Sequence, residues 1–342
     1  MLKLRVGVPP LFWDLSSRDS NGRVWNAVLR RLARTASLRR QQPGPGHAPV
    51  DVWLWSGHTG RLPVREPAVA LVSEARWVDP ELRSALDPGF MAHIARSTEE
   101  GVRCAARVIT PSSVATRQIA EGYGVPPDII STVPHGVDRA LFNPRRRRPS
   151  RMLAVAGVHG PYILGVGTMF PHKNLGLLRQ AAAGLARRSH PHALVLVTAP
   201  SPDRDDSSDL EAELTAPAVD GRVVLLHAIP DRMLAGLMAG ADVFCLPSTF
   251  EGFGLPALEA MASGVPVVVS SGGALPEVVG DAGVIVDLAL DDLETVLHEL
   301  LTDEARRRRL GELALLRAGE LSWERTAAGW LDTLTAAASS GR

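Results

Sequence analysis

Residues 248–270 read STFEGFGLPALEAMASGVPVVVS. The stretch follows an apolar run, Val243–Pro247, and passes a loop holding Gly252 and Gly254. It enters a helical pattern at Pro256 and leaves into the β-rich run Val265–Ser270. That succession is a strand–loop–helix–strand unit, the building block of a parallel sheet. Proline is favoured at the first helical position. The N–H groups of Phe253, Gly254 and Leu255, together with the helix dipole, therefore form a place for a phosphate. Glu259 falls on the first helical turn and Glu251 on the loop before it. A carboxylate accepts hydrogen bonds from sugar hydroxyls, two at a time where geometry permits. The same residues suit a helix-capping carboxylate on an ordinary strand–loop–helix, and their chemistry alone leaves both readings open.

The alternation extends outward in both directions. Toward the C-terminus and back to residue 160, strands are expected at Tyr162–Val166, Leu194–Thr198, Val223–Leu226, Val243–Pro247, Val265–Ser270 and Val284–Val286. Helices are expected at Leu175–Arg187, Asp231–Ala239, Pro256–Ala262, Asp291–Leu301, Glu304–Leu316 and Trp323–Ala337. The first half repeats the pattern, with strands at Leu4–Val8, Val52–Ser56, Ala68–Ser73, Arg107–Pro111 and Ile130–Pro134. Its helices lie at Asn21–Thr35, Pro88–Ala106 and Ser113–Tyr123, and only loop is read between the first helix and Val52. Between the halves, Pro144, Arg145–Arg148 and Pro149 have the composition of a solvated linker. The expected organisation is an N-terminal domain over 1–143, a linker over 144–159, a second domain over 160–321 and a C-terminal helix, 322–342, packing back on the first domain. Two doubly wound domains of this kind offer a cleft at the carboxyl ends of their strands, where ligands of α/β sheets bind.

Composition narrows the function. The 342 residues exceed the ~250–300 at which single cores stop growing, and 45% hydrophobic with 22% charged residues is an ordinary globular balance. Lys+Arg and Asp+Glu are both 37, which excludes the broad basic field of a nucleic-acid binder. Two cysteines, Cys104 and Cys245, cannot make a disulfide framework or a cysteine-based zinc site. Apolar runs stay below the ~18 residues of a membrane span, and MLKLRVGVPPLFWD lacks a signal-peptide core. A cytoplasmic protein is expected, with at most peripheral contact at the inner membrane face. Asp203, Asp205, Asp206 and Asp209 lack the glycine turn and spacing of a calcium loop, and the ten histidines contain no H-x3-H pair. No metal site is expected. Lys3 and Lys173 are the two lysines among many arginines, and lysine is a compact point charge that arginine does not replace well.

EGFGLPALEAMASGVPVVVS closely resembles the Glu-x7-Glu segment of family 4 retaining glycosyltransferases of the GT-B fold. VPHGVDRALFNP (133–144), LGVGTMFPHKNLGLL (164–178), GGALPEVVGDAGVIVD (272–287) and SWERTAAGWLDTL (322–334) follow the same pattern, so the resemblance runs from about Arg107 to the C-terminus. It implies two Rossmann-like domains facing a central cleft, and transfer of a hexose from a nucleoside-diphosphate sugar to a hydroxyl acceptor. Mannosyl- and rhamnosyltransferase-like members are most similar, making GDP-mannose the first donor to consider. The resemblance implies no metal or other cofactor. The acceptor class, whether glycan, lipid-linked saccharide or secondary metabolite, stays open.

The resemblance also implies roles. Glu251 would hold donor-sugar hydroxyls and stabilise the reacting ring, Glu259 would bind the ribose, and Lys173 would meet the diphosphate with the N–H groups of Phe253, Gly254 and Leu255. Thr168 and His172 stand where many members carry an arginine. Upstream the pattern departs: Ser73 and Glu74 occupy the place of the family's usual His, leaving Glu74, or His58 in SGHTG, as candidate base or acceptor ligand. DSNGRVWNAVL, from Asp19, replaces a Gly-x-Gly-Arg loop with Gly22 as its one match, and the N-terminal domain reads as shortened. These departures motivate an alternative, a non-catalytic nucleotide-sugar-binding partner of another transferase.

Overall fold

The computed structural model describes residues 3–13, 20–83, 88–146, 154, 160–199 and 222–340. In chain order the elements are β1 (Arg5–Val8), α1 (Ser20–Thr35), β2 (Ser37–Arg40), β3 (Val52–Ser56), β4 (Ala68–Leu71), α2 (Pro88–Arg103), β5 (Arg107–Thr110), α3 (Ser113–Tyr123) and β6 (Ile130–Thr132). They continue with β7 (Tyr162–Thr168), α4 (Leu175–Arg187), β8 (Ala193–Ala199), β9 (Val223–His227), α5 (Asp231–Gly240), β10 (Val243–Leu246), α6 (Leu255–Ala262), β11 (Val267–Ser270), α7 (Leu275–Val279), β12 (Val284–Val286), α8 (Leu290–Thr302), α9 (Glu304–Glu320) and α10 (Trp323–Ser340). They fall into two units, Met1–Gly136 with Leu321–Arg342, and Val137–Glu320. The first unit thus ends at Gly136, ahead of the expected 143. Of the expected linker, Pro144–Arg146 form a turn within the second unit, while 147–153 and 155–159 lie outside the described residues, as do Asp19 and the aspartates of 203–209.

The first unit is a six-stranded sheet in the order β2-β1-β3-β4-β5-β6, every pair parallel. Strands β3 and β4 are buried nearly throughout, as expected of a parallel sheet covered on both faces. The bare loop expected before Val52 is corrected by β2, which pairs with β1 from Arg5↔Ser37 to Val8↔Arg40. Its sequence, SLRR, is an exposed edge without apolar alternation, so backbone pairing rather than side-chain pattern defines it. Helix α10 packs on α1 and β3. Trp330 is fully buried, Trp25 meets its edge at 5.5 Å, and Phe12 stacks on Trp25 at 4.6 Å. Trp25, Trp53, Trp55 and Trp77 thus serve the core.

The second unit is also six-stranded and parallel, in the order β12-β11-β10-β7-β8-β9. Numbered from its own first strand, this is the doubly wound order 3-2-1-4-5-6 reversed, with the topological switch between β7 and β10. Ile163, Leu178, Leu194, Leu196, Leu293 and Leu297 centre its core between the sheet, α4 and α8. Both units are Rossmann-like, and the chain has the GT-B fold class.

Candidate functional site

Strands β7 and β10 are neighbours at the switch point, so the loops leaving their carboxyl ends start side by side. The β7 loop runs from Thr168 into the turn Pro171–Lys173. There Asn174, at φ 52°, opens α4. Gly167 has no Cβ, and one added there would stand 3.3 Å from the Lys173 Cγ. The lysine stem therefore lies against the strand end. The β10 loop is tied to this one by Thr249, whose N–H donates to the His172 carbonyl at 2.7 Å.

The two loops bring together charges 78 positions apart. Lys173 Nζ donates to Glu251 Oε1 at 2.7 Å, with the side chains 14% and 10% exposed. Ser248, fully buried, donates its hydroxyl to the same Oε1 at 2.7 Å. A third loop, leaving β11, clamps this arrangement from behind. The Ser270 hydroxyl donates to the Ser248 carbonyl and accepts from the Gly272 N–H at 3.1 Å, and the Ala274 N–H donates to the Glu251 carbonyl at 2.9 Å. Gly273 sits at φ 64°, and a Cβ there would come within 2.2 Å of the Glu251 carbonyl oxygen. Only glycine permits that approach.

Gly254, at φ 99°, caps α6, and a Cβ there would meet Leu275 at 2.7 Å. The helix consequently starts at Leu255, with Pro256 second, one residue earlier than expected. Glu259 therefore stands in the second turn rather than the first, buried at 4% exposure. Phe253 and Leu255 turn buried side chains inward. The first N–H groups of any helix lack intrahelical acceptors and carry its positive pole. Thr168 is half-buried at the end of β7, and the His172 ring stacks on Phe170 at 5.7 Å, so His172 enters the cluster through its carbonyl. The structure thus gathers Lys173, His172, Glu251 and the start of α6 around one strand pair. Ser248, Ser270 and Gly273 were missed in the sequence. Their signal, small residues leaving β10 and β11, becomes legible only once those strands are known to be adjacent.

The remaining candidates belong to the first unit. Gly22 lies within the first turn of α1, inside the helix expected over Asn21–Thr35. Glu74, beyond the end of β4, meets Arg76 Nε at 3.5 Å. His58 lies on the turn Gly57–Thr59 after β3, its Nδ1 3.0 Å from Thr98 Oγ1. Thr98 gives its one hydroxyl proton to the Ile94 carbonyl at 2.7 Å. Its oxygen therefore accepts from His58 Nδ1–H, and Nε2 keeps the ring's lone pair. Burial lowers the His58 pKa to about 4, so the ring is neutral at pH 7. Its edge meets Trp77 at 5.5 Å, and Trp77 Nε1 donates to the Tyr123 hydroxyl.

Among the described residues, no group of three His, Cys, Asp or Glu side chains is placed to hold a metal, and no helix is long and apolar enough to cross a membrane. Cys245 is buried, which raises its thiol pKa, and Cys104 is exposed.

Residues 156–316 match the family model described as glycosyl transferases group 1. The D-inositol 3-phosphate glycosyltransferase of Nocardia farcinica is 33% identical over 89% of this chain and 70% of its own length. The chain belongs to the group 1 glycosyl transferases. It is also 38% identical, over 65% of its length, to the MMP α-(1→4)-mannosyltransferase of Mycolicibacterium hassiacum, and the match covers about half of that relative, 52%. The fold is shared with Anabaena HepE, solved in complex with UDP and glucose, at TM-score 0.76 and 17% identity over 97% of this chain and all of that one. The charge cluster at β7 and β10 falls inside the matched segment.

Proposed function

We propose that this chain is a retaining hexosyltransferase that moves a sugar from a nucleoside diphosphate to a hydroxyl acceptor. One observation carries the reading: a nearly buried Lys173–Glu251 pair beside the N-terminus of α6, at the switch point of a doubly wound sheet. Membership of the family and the activities for which its relatives are named support it. The mannosyltransferase relative makes GDP-mannose the first donor to test.

The chemistry follows from charge. Breaking the bond between the anomeric carbon and the diphosphate builds positive charge on the sugar and negative charge on the leaving group. Lys173 and the first N–H groups of α6 are fixed positive features for that diphosphate, preorganised as electrostatic catalysis requires. They supply the charge without a metal ion. Glu251 receives the sugar hydroxyls and faces the developing positive charge, and Glu259 receives the ribose hydroxyls. Retention follows if the acceptor oxygen attacks from the face the diphosphate leaves, with the departing phosphate oxygen taking the acceptor proton. In the first unit we take His58 rather than Glu74 as the acceptor-hydroxyl ligand, because Glu74 shares its charge with Arg76 while His58 Nε2 keeps a lone pair.

The test is calorimetric titration with UDP, GDP, ADP and dTDP, with and without magnesium, followed by incubation with the matching nucleotide sugars. Saturable, magnesium-independent binding with sugar release is expected. Failure to bind any nucleotide overturns the reading. Binding with no turnover under any acceptor supplied returns the chain to the role of a non-catalytic partner.

A further inference from the structure

Both donors to Glu251 fall on one oxygen. Lys173 Nζ and Ser248 Oγ each lie 2.7 Å from Oε1, and among the described residues no donor falls on Oε2. The two oxygens of a carboxylate are chemically equivalent in water, so this asymmetry is imposed by the surrounding residues. Ser248 is fully buried and has a single hydroxyl proton, which it spends on Glu251. Its own backbone is fixed in turn, because its carbonyl accepts from Ser270. A lysine alone would not fix the carboxylate, since an ammonium is a point charge on a flexible stem. A second, rigidly mounted donor on the same oxygen sets the rotation of the group.

We propose that Ser248 is a positioning residue which, with Lys173, saturates Oε1 of Glu251 and reserves Oε2 for a hydroxyl of the donor sugar. The proposal rests on the donor-site reading above. It predicts a separation between the two halves of the donor. The nucleoside diphosphate is held by the start of α6, Lys173 and Glu259, and is indifferent to the rotation of Glu251. The sugar is not.

The experiment compares wild type with Ser248→Ala, Ser248→Cys and Ser248→Thr, using two probe pairs, GDP with GDP-mannose and UDP with UDP-glucose. For the pair that wild type binds, the readout is the ratio of the two dissociation constants, nucleotide over nucleotide sugar. Ser248→Ala is expected to lower this preference for the sugar-bearing form tenfold or more, with Kd for the bare nucleotide within twofold of wild type. Ser248→Thr, which keeps the hydroxyl, is expected to restore it, and Ser248→Cys to fall between. A merely structural role would weaken both ligands together, and that outcome overturns the proposal, as does an unchanged ratio in Ser248→Ala. Should Ser248→Ala not fold, Ser248→Cys decides alone by the same ratio. A wild-type protein that binds neither pair overturns the donor-site reading itself, and this proposal with it.

Discussion

The chain builds the same object twice and loads it differently. Each unit is a six-stranded parallel sheet with a switch point, between β1 and β3 in the first and between β7 and β10 in the second. At the second switch point the strand ends deliver opposite charges, nearly buried and bonded to each other, with three loops fixing one glutamate, two at its carboxylate and one at its backbone. Beyond the strand ends of the first unit stand a neutral histidine held by threonine, a buried Trp77 bonded to Tyr123 at the end of α3, and a carboxylate beside an arginine. The contrast teaches what each unit is fitted to. Fixed charges suit a ligand that always carries a diphosphate. A neutral histidine that keeps a lone pair on Nε2 suits a hydroxyl.

The sharpest way to break this comparison is to remove the charge pair. Glu251→Ala and Lys173→Ala are each expected to cut turnover at least tenfold, and Glu251→Ala also strands a nearly buried lysine, a change that costs about 3–5 kcal/mol in comparable sites. Turnover at the wild-type rate in either variant would place the chemistry elsewhere. Next comes Gly273→Ala, which asks an L-residue to hold φ 64° against the Glu251 carbonyl. We expect a loss of about 1–3 kcal/mol in stability together with weakened donor turnover. A variant that melts like wild type and turns over normally would show that the third loop clamps nothing.

Most of the fold was readable because buried parallel strands are apolar runs of their own, as in VWLWS at β3 or VVVS at β11. The exception, β2, shows the limit: an edge strand needs only one neighbour and has no buried face to write into its side chains. The site divides similarly. Glu251 and Lys173 stand out by type and spacing. Ser248 does not, because a serine after a strand is ordinary until its partner, 78 positions away from that partner's own lysine, is known to face it.

Acid offers a gentler probe. Burial lowers the pKa of His58 to about 4 and that of His135 to about 3, against an ordinary 6.5. Both lie in the first unit. Between those values the unfolded chain binds protons that the folded chain refuses, so stability present above pH 6.5 is lost as pH falls toward 4. Hydrogen exchange read segment by segment should show the first unit loosening first, and His58→Asn should flatten part of that slope. Simultaneous loosening of both units would erase the distinction. The smallest effect expected is that of a thiol reagent. Cys104 is exposed and should react, while Cys245, buried with a raised pKa, should not. Activity should survive the labelling, and its loss would bring residue 104 into the functional surface.

Helix α10 belongs to the first unit although it is the last element of the chain. On the ribosome this order has a cost. Trp25 and the covered face of α1 emerge early, but Trp330, which closes over them, follows only after all of Val137–Glu320 has been made. At usual synthesis rates that interval is roughly 10–40 s. Throughout it the nascent first unit lacks the ring that covers Trp25, while the second unit, continuous in sequence, can mature ahead of the domain that precedes it.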